Sequence, residues 1–189
     1  MKVRLDHVTN SSSSSFVCQI CHYAAEGYDC SPEDLGMVQC KNLHLFCEEE
    51  ELTPTQDQLE KYLEQLKETY RESCIFVERE DDFINGKIKN IEVYDETYDE
   101  RLKASCYCPI CNFNVILQKD IMRYLKAKYR VKNEKVMKYI RAKDKSRNNF
   151  YDSEYIKYVC EENNLNPVDF ADIWKVQFKT YEEFNKYCE

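Results

Sequence analysis

The sequence predicts an α+β fold in which a small β-containing metal module precedes a mainly helical region. Cysteine and histidine residues recur at metal-ligand spacing up to residue 111, and an amphipathic helical pattern interrupts that series. From Ile116 to the end, apolar residues recur at helical spacing. We therefore expect a metal-binding module over 1–115 and a helical region over 116–189.

The metal-ligand array comprises eight residues in three groups. A Cys-x2-Cys turn directs two thiolates at one tetrahedral ion, and four such ligands close the shell of a structural zinc. The array predicts one or two Zn²⁺ ions as the cofactor. Its members are Cys18, Cys21, Cys40, His44, Cys47, Cys106, Cys108 and Cys111.

Composition sets the expected compartment. The 189 residues carry a formal net charge of −8, and no apolar run reaches the length of a signal sequence or a membrane span. We expect a cytoplasmic protein without membrane contact. In a reducing cytosol, eleven cysteines are better explained by zinc than by disulfides.

The N-terminal segment predicts a short strand around Val3 and Leu5, followed by a serine-rich loop over residues 11–15. A return strand at Phe16 and Val17 then leads into Cys18. Serine runs stay solvated and mobile, so we expect the loop to be flexible.

A helix and a hairpin are predicted between the second and third ligand groups. Thr53 resembles an N-cap with Pro54 at the first helical position, which predicts a helix over 54–72. The dipeptide Asn85-Gly86 accepts the positive φ angles of a tight turn, which predicts a hairpin over 74–94. The acidic stretch 94–101 is predicted to be a solvated loop.

The helical region shows an internal repeat of 34 residues. The shift superimposes Tyr124 on Tyr158 and Ile140 on Trp174, and it keeps the apolar pattern between them. We therefore predict two related helix-turn-helix hairpins, whose second helices open near Asn133 and at Asn166-Pro167.

The ligand order resembles that of RING fingers. This resemblance implies two zinc ions in a cross-brace, one held by Cys18, Cys21 and Cys47, the other by Cys40, His44, Cys108 and Cys111. The sixth RING position falls on Glu50, so Cys106 or Glu50 would complete the first ion, and a thiolate is the better zinc donor. The insertion between Cys47 and Cys106 is longer than a typical RING finger allows.

A simpler arrangement is a single treble-clef-like zinc at Cys18, Cys21, Cys40 and either His44 or Cys47. Cys106, Cys108 and Cys111 would then form a separate or incomplete site.

A further resemblance lies in residues 9–16, Thr-Asn followed by five serines and Phe. It resembles the N-terminus of uncharacterised bacterial and phage proteins. This implies a bacterial or phage origin and no particular activity.

Catalytic motifs are missing from the sequence. Three glycines provide no phosphate-binding loop, and the cysteines and His44 are assigned to metal. We therefore expect no enzymatic activity. The favoured function is a zinc-stabilised protein-interaction protein, an adaptor or an inhibitor; a RING-type partner of a conjugating enzyme is an alternative.

A nucleic-acid-binding protein is the other alternative. Residues 119–147 hold twelve Lys and Arg against three acidic residues, with tyrosines interleaved. Such a stripe can neutralise phosphates while the tyrosines stack on bases; the competing interpretation is that the tyrosines belong to the core and the lysines form a solvated face. The stripe, one face of a predicted helix, consists of Lys119, Arg123, Lys126 and Arg130.

Overall fold

A computed structural model describes residues 14–27, 29–69, 79–95, 98–103 and 105–189. It confirms the α+β class: small two-stranded antiparallel sheets are followed by a mainly helical C-terminal region. The chain divides into two compact units, residues 1–109 and 110–189. None of the helices within the described residues has the length and apolarity needed to cross a membrane.

The first unit begins with two short hairpins. Strand β1 (Ser14–Val17) pairs with β2 (Ala24–Gly27), and β3 (Met37–Gln39) pairs with β4 (Leu45–Cys47). The loop of the first hairpin carries Cys18 and Cys21, and the loop of the second carries Cys40 and His44. Cys47, the remaining ligand of the second group, ends β4. The predicted strand and most of the serine loop lie outside the described residues, but the last two serines are part of β1.

Helix α1 (Gln56–Thr69) and helix α2 (Glu80–Ile84) follow. Helix α1 begins two residues later than the pattern predicted from Thr53. Thr55 caps it instead, because the Gln58 backbone N–H donates to Thr55 Oγ1 and the Thr55 backbone N–H donates to Gln58 Oε1, at 3.4 and 2.9 Å. Its apolar face packs into a cluster formed by Leu59, Tyr62, Leu63, Leu66, Phe83, Cys106 and Tyr107.

The hairpin predicted over 74–94 is wrong in position. Asn85 and Gly86 close helix α2, where their backbone N–H groups donate to the carbonyls of Asp81 and Phe83. Residues 74–78 lie outside the described residues. The hairpin forms further on, from β5 (Asn90–Asp95) and β6 (Tyr98–Lys103), so the described part of the acidic stretch 94–101 is strand rather than loop.

The second unit contains helices α3 (Gln118–Tyr129), α4 (Asn133–Lys143), α5 (Asp152–Glu162), α6 (Phe170–Gln177) and α7 (Tyr181–Cys188). A 3-10 turn at Pro167–Asp169 leads into α6. Helices α3 and α5 begin 34 residues apart, as do α4 and this 3-10 turn. That spacing is the period of the repeat predicted from the sequence.

An aromatic core fills the second unit. Trp174 is 1% exposed, and Phe184 and Tyr124 approach its ring with centroid distances of 4.6 and 5.3 Å. Phe113, in the segment before α3, lies 5.7 Å from the rings of Trp174 and Phe184. This core explains why so many aromatic residues stand at helical spacing after residue 110.

Candidate metal centre

Three tight turns present the candidate ligands. In the first, the backbone N–H groups of Ile20 and Cys21 both donate to Cys18 Sγ at 3.4 Å, and the turn closes with His22 N–H donating to the Cys18 carbonyl. His22 has a φ of 62° and is exposed. Its backbone therefore ends the turn.

The second turn lies between β3 and β4. The Leu43 N–H donates to the Cys40 carbonyl at 2.8 Å, and the Cys40 N–H donates to the His44 carbonyl at 3.0 Å. Leu43 adopts a φ of 61°, which turns the chain sharply enough to direct Cys40 and His44 toward the same point. In the third turn, Cys108 follows a 3-10 turn at Ser105–Tyr107, and its N–H donates to the Ser105 carbonyl.

Cys40, His44, Cys108 and Cys111 form a closed cluster. All four residues are buried, and their ligand atoms lie within 4.8 Å of one another. His44 Nδ1 is 3.6 Å from Cys40 Sγ and 3.7 Å from Cys108 Sγ. A tetrahedral zinc with Zn–S near 2.3 Å and Zn–N near 2.0–2.1 Å gives a sulfur to nitrogen separation of about 3.6 Å, so the geometry fits such an ion.

Cys18, Cys21 and Cys47 form a second cluster within the same limit of 4.8 Å. Cys21 Sγ and Cys47 Sγ are 3.6 Å apart, close to the separation of about 3.8 Å that two thiolates have on one tetrahedral zinc. A hydrogen bond of 2.8 Å from the Gln19 N–H to the Leu45 carbonyl holds the first turn against β4, which ends at Cys47. The ligands of the two clusters therefore alternate along the chain: Cys40 and His44 of the first cluster stand between Cys21 and Cys47 of the second. The RING-like grouping implied this order.

The thiols of the second cluster favour a cation between them. Burial works against the Cys18 thiolate, but hydrogen bonds from the backbone N–H groups of Cys21, Ile20 and Cys47 outweigh it and lower the Cys18 pKa. Burial and the neighbouring sulfurs of Cys21 and Cys18 raise the pKa of Cys47 to about 12. Three thiolates so close together repel one another, and a bound metal ion removes that repulsion.

Cys106 departs from the predicted array. It belongs to neither cluster and lies 9% exposed in the apolar cluster beneath α1, beside Tyr107. Desolvation by burial raises the pKa of its thiol to about 12. Glu50, the other candidate for the missing ligand, is also outside both clusters; it lies in a 3-10 turn after Cys47.

The basic stripe is only partly free for a ligand. Arg123 Nη1 donates to Asn185 Oδ1 at 2.9 Å and lies 3.5 Å from Asp120 Oδ1, so its guanidinium is engaged within the second unit. Lys126 lies over the Tyr155 ring, and Arg130 ends helix α3 in a left-handed conformation. Lys119 is exposed.

A buried carboxylate that no sequence motif indicated lies beside this stripe. Asp120 is 1% exposed, and the Tyr181 hydroxyl donates to both of its oxygens at 3.0 and 3.1 Å. Residues 120 and 181 are far apart in sequence and follow no motif spacing, so only the packing of α3 against α7 identifies the pair.

Fold and ligand geometry together define an α+β protein with two candidate metal clusters, one closed and buried and one of three thiols. Comparison of the chain with family models, with curated proteins and with solved structures gave no match. The functional argument therefore depends on the chemistry of these residues.

Proposed function

We propose that this chain is a zinc-stabilised protein-interaction protein without enzymatic activity. The closed Cys40, His44, Cys108 and Cys111 cluster carries the proposal. Three buried thiolates and one imidazole fill a tetrahedral zinc shell and leave no coordination position for a substrate. A closed zinc supplies folding free energy, so the metal stabilises the fold and the binding surface lies elsewhere.

The exposed apolar side of α6 is the binding surface that we propose. Ile173 and Val176 are neighbours on the helix surface and are 37% and 89% exposed; Val168, in the preceding 3-10 turn, is 79% exposed. Exposed apolar side chains that form a contiguous patch mark protein-binding sites.

The proposed repeat indicates what this surface binds. Ile173 stands 34 residues after Tyr139, whose ring lies 4.8 Å from the ring of Tyr158 and whose hydroxyl donates to Glu161, both on α5. In the first repeat this position, on α4, therefore packs against α5, the first helix of the second repeat. Its counterpart on α6, Ile173, is exposed, and we propose that an amphipathic helix of a partner protein covers it.

The test compares affinity capture by three forms of the full chain from lysate of the source organism. The wild type and an Ala142→Lys control should retain the same partner. The amount of that partner captured by a Val168→Lys/Val176→Lys variant should be at least tenfold lower. Ala142 is exposed and stands 34 residues before Val176, so the control places the same charge on α4. Retention of the partner by the double variant would contradict the surface that we propose.

Elemental analysis tests the metal part of the proposal separately. We expect one to two zinc ions per chain and a loss of cooperative unfolding under a strong chelator, because apparent binding energies of structural zinc reach ~10–16 kcal/mol in small finger peptides. A protein without zinc, with its array cysteines paired as disulfides, would contradict it.

A further inference from the structure

We propose that the metal ion at Cys18, Cys21 and Cys47 keeps one open coordination position and takes a neutral imidazole nitrogen there, donated by a histidine of a partner protein. This inference rests on the metal centre of the proposed function and goes further, because it gives the two ions different roles. One ion holds the fold, and the other is a site for an external ligand.

The two clusters differ in their surroundings. Every member of the four-residue cluster is buried, whereas the three-residue cluster has one buried thiol, Cys18, one intermediate thiol, Cys47, and one exposed thiol, Cys21. A zinc ion held by three protein ligands completes its shell with water or with a ligand from outside. The exposed edge at Cys21 is where such a ligand can approach.

Within the described residues, no fourth Cys, His, Asp or Glu joins this cluster. Cys106, the thiol that the ligand order favoured, is instead part of the apolar cluster that contains Tyr62 and Phe83. The Glu48–Glu50 turn follows Cys47 directly, yet none of its carboxylates lies within the distance limit of the three sulfurs.

Charge selects the class of ligand. Three thiolates and one Zn²⁺ carry a net charge of −1, and the acidic Glu48–Glu50 turn next to Cys47 adds negative charge nearby. A phosphate or carboxylate ligand would add to this negative charge. A neutral imidazole adds no charge and is a common zinc ligand.

The first measurement is X-ray absorption of the full chain loaded with two zinc ions. The closed cluster contributes three sulfurs and the open one three, so we expect an average of three sulfurs per ion with nitrogen or oxygen completing the shell. If a chain thiolate fills the fourth position, the average rises to three and a half sulfurs and the inference is overturned.

The second measurement uses the cobalt(II)-loaded protein and imidazole as the probe. One equivalent should bind with a change in the cobalt absorption spectrum, and acetate at the same concentration should give at least a tenfold smaller change. Cys47→Ala should abolish the imidazole response while one metal ion remains bound. No response to imidazole, or an equal response to acetate, would overturn the inference.

Histidines of the chain itself are the remaining source of imidazole. His7→Ala and His22→Ala variants should keep both ions and the full response to the imidazole probe. If either variant loses an ion or binds added imidazole more tightly, the fourth ligand belongs to this chain. That result would overturn the role of a partner protein. Binding of a single ion at the closed cluster would overturn this inference and leave the proposed function intact. Binding of no ion would contradict both.

Discussion

At the scale of single residues, position relative to the apolar core decides which cysteines can bind metal. Cys106 and Cys108 are two residues apart, and both are buried. Cys108 Sγ lies 3.7 Å from His44 Nδ1, whereas Cys106 contributes to the apolar cluster under α1. The same residue type therefore has two roles within one turn.

Substitution of these two cysteines separates the roles. Cys108→Ser should lower the zinc content by about one ion per chain, because it removes a thiolate from a four-ligand shell. Cys106→Ser should leave the zinc content unchanged and destabilise the fold by about 1–3 kcal/mol, since it buries a hydroxyl in apolar surroundings. Elemental analysis measures the zinc content, and urea unfolding measures the stability. A loss of zinc from Cys106→Ser would show that Cys106 is a metal ligand after all.

Leu43 provides a second test at this scale. Its φ of 61° is unfavourable for a branched side chain, and the side chain is 67% exposed. Leu43→Gly should raise the free energy of unfolding by about 0.5–1 kcal/mol, because the left-handed strain of ~1–2 kcal/mol exceeds the entropic cost of glycine. Leu43→Ala keeps the strain and serves as the control in urea unfolding of the metal-loaded protein. Equal stability of the two variants would mean that the turn is unstrained.

At the scale of elements, the structure decides which of several neighbouring sequence motifs ends a helix. Thr53-Pro54 has the residue types of a helix start, but Thr55 and Gln58 form the reciprocal pair that caps α1. Asn85-Gly86 has the residue types of a hairpin turn, yet it closes α2, where Gly86 follows the Asn85 C-cap with a φ of 68°. A glycine in this left-handed conformation is typical of a helix C-terminus.

The cap of α1 gives an element-scale prediction. Thr55→Ala should destabilise the protein by about 1 kcal/mol, as expected for loss of a threonine N-cap. Thr53→Ala, at the cap position that the sequence favoured, should change the free energy of unfolding by less than half of that. Urea unfolding of both variants checks the assignment, and equal effects would contradict it.

The contact between α3 and α7 gives a second prediction at the scale of elements. Tyr181→Phe should destabilise the protein by about 1–3 kcal/mol at pH 7, because it removes the hydroxyl that donates to buried Asp120. Tyr187→Phe is the control, since that side chain is 39% exposed. The fluorescence of Trp174, the single tryptophan, reports unfolding of the second unit. An effect no larger than that of the control would show that the hydroxyl contributes little.

The free energy of unfolding should depend on pH differently in the Tyr181→Phe variant and in the wild type. Burial and the charge of Asp120 raise the pKa of Tyr181, so the folded protein holds this proton to a higher pH than the unfolded chain does. Above the ordinary tyrosine pKa of about 10, the unfolded chain releases the proton first and stability falls as pH rises. The Tyr181→Phe variant should lose less stability than the wild type between pH 9 and 11; parallel curves would contradict the assignment.

At the scale of the whole molecule, charge is unevenly distributed along the chain. Residues 119–147 hold twelve basic and three acidic residues in a protein of net charge −8. Much of that positive charge contacts groups of the second unit itself: Arg123 binds Asn185, Arg147 pairs with Glu154, and Lys143 lies over Tyr139. These contacts favour the interpretation that the basic stretch is a folded helical surface.

A binding assay with single-stranded and duplex oligonucleotides tests that interpretation. We expect weak binding that a Lys119→Gln/Lys126→Gln/Arg130→Gln variant changes less than threefold, with Arg123 left intact because its substitution would disturb α3 and α7. A steep fall of affinity with salt that becomes shallower in the triple variant would instead support the nucleic-acid-binding alternative.

The sequence by itself determined the features that depend on local spacing. The turns at Cys18 and Cys108, the helical periodicity after Ile116 and the α+β class follow from residues a few positions apart. The grouping of ligands followed from their order, through the resemblance to RING fingers.

Only the tertiary structure decided where Cys106, Asn85 and Arg123 belong. Cys106 has the local pattern of a ligand and lies in the apolar cluster, and Asn85 has that of a hairpin turn and closes α2. Arg123, predicted as a phosphate contact, donates a hydrogen bond to Asn185. For Cys106 and Arg123 the partners are distant in the chain, namely the α1 face and Asn185. Local preferences of about 1 kcal/mol yield to the burial of apolar side chains, each of which contributes about 1.5–3 kcal/mol.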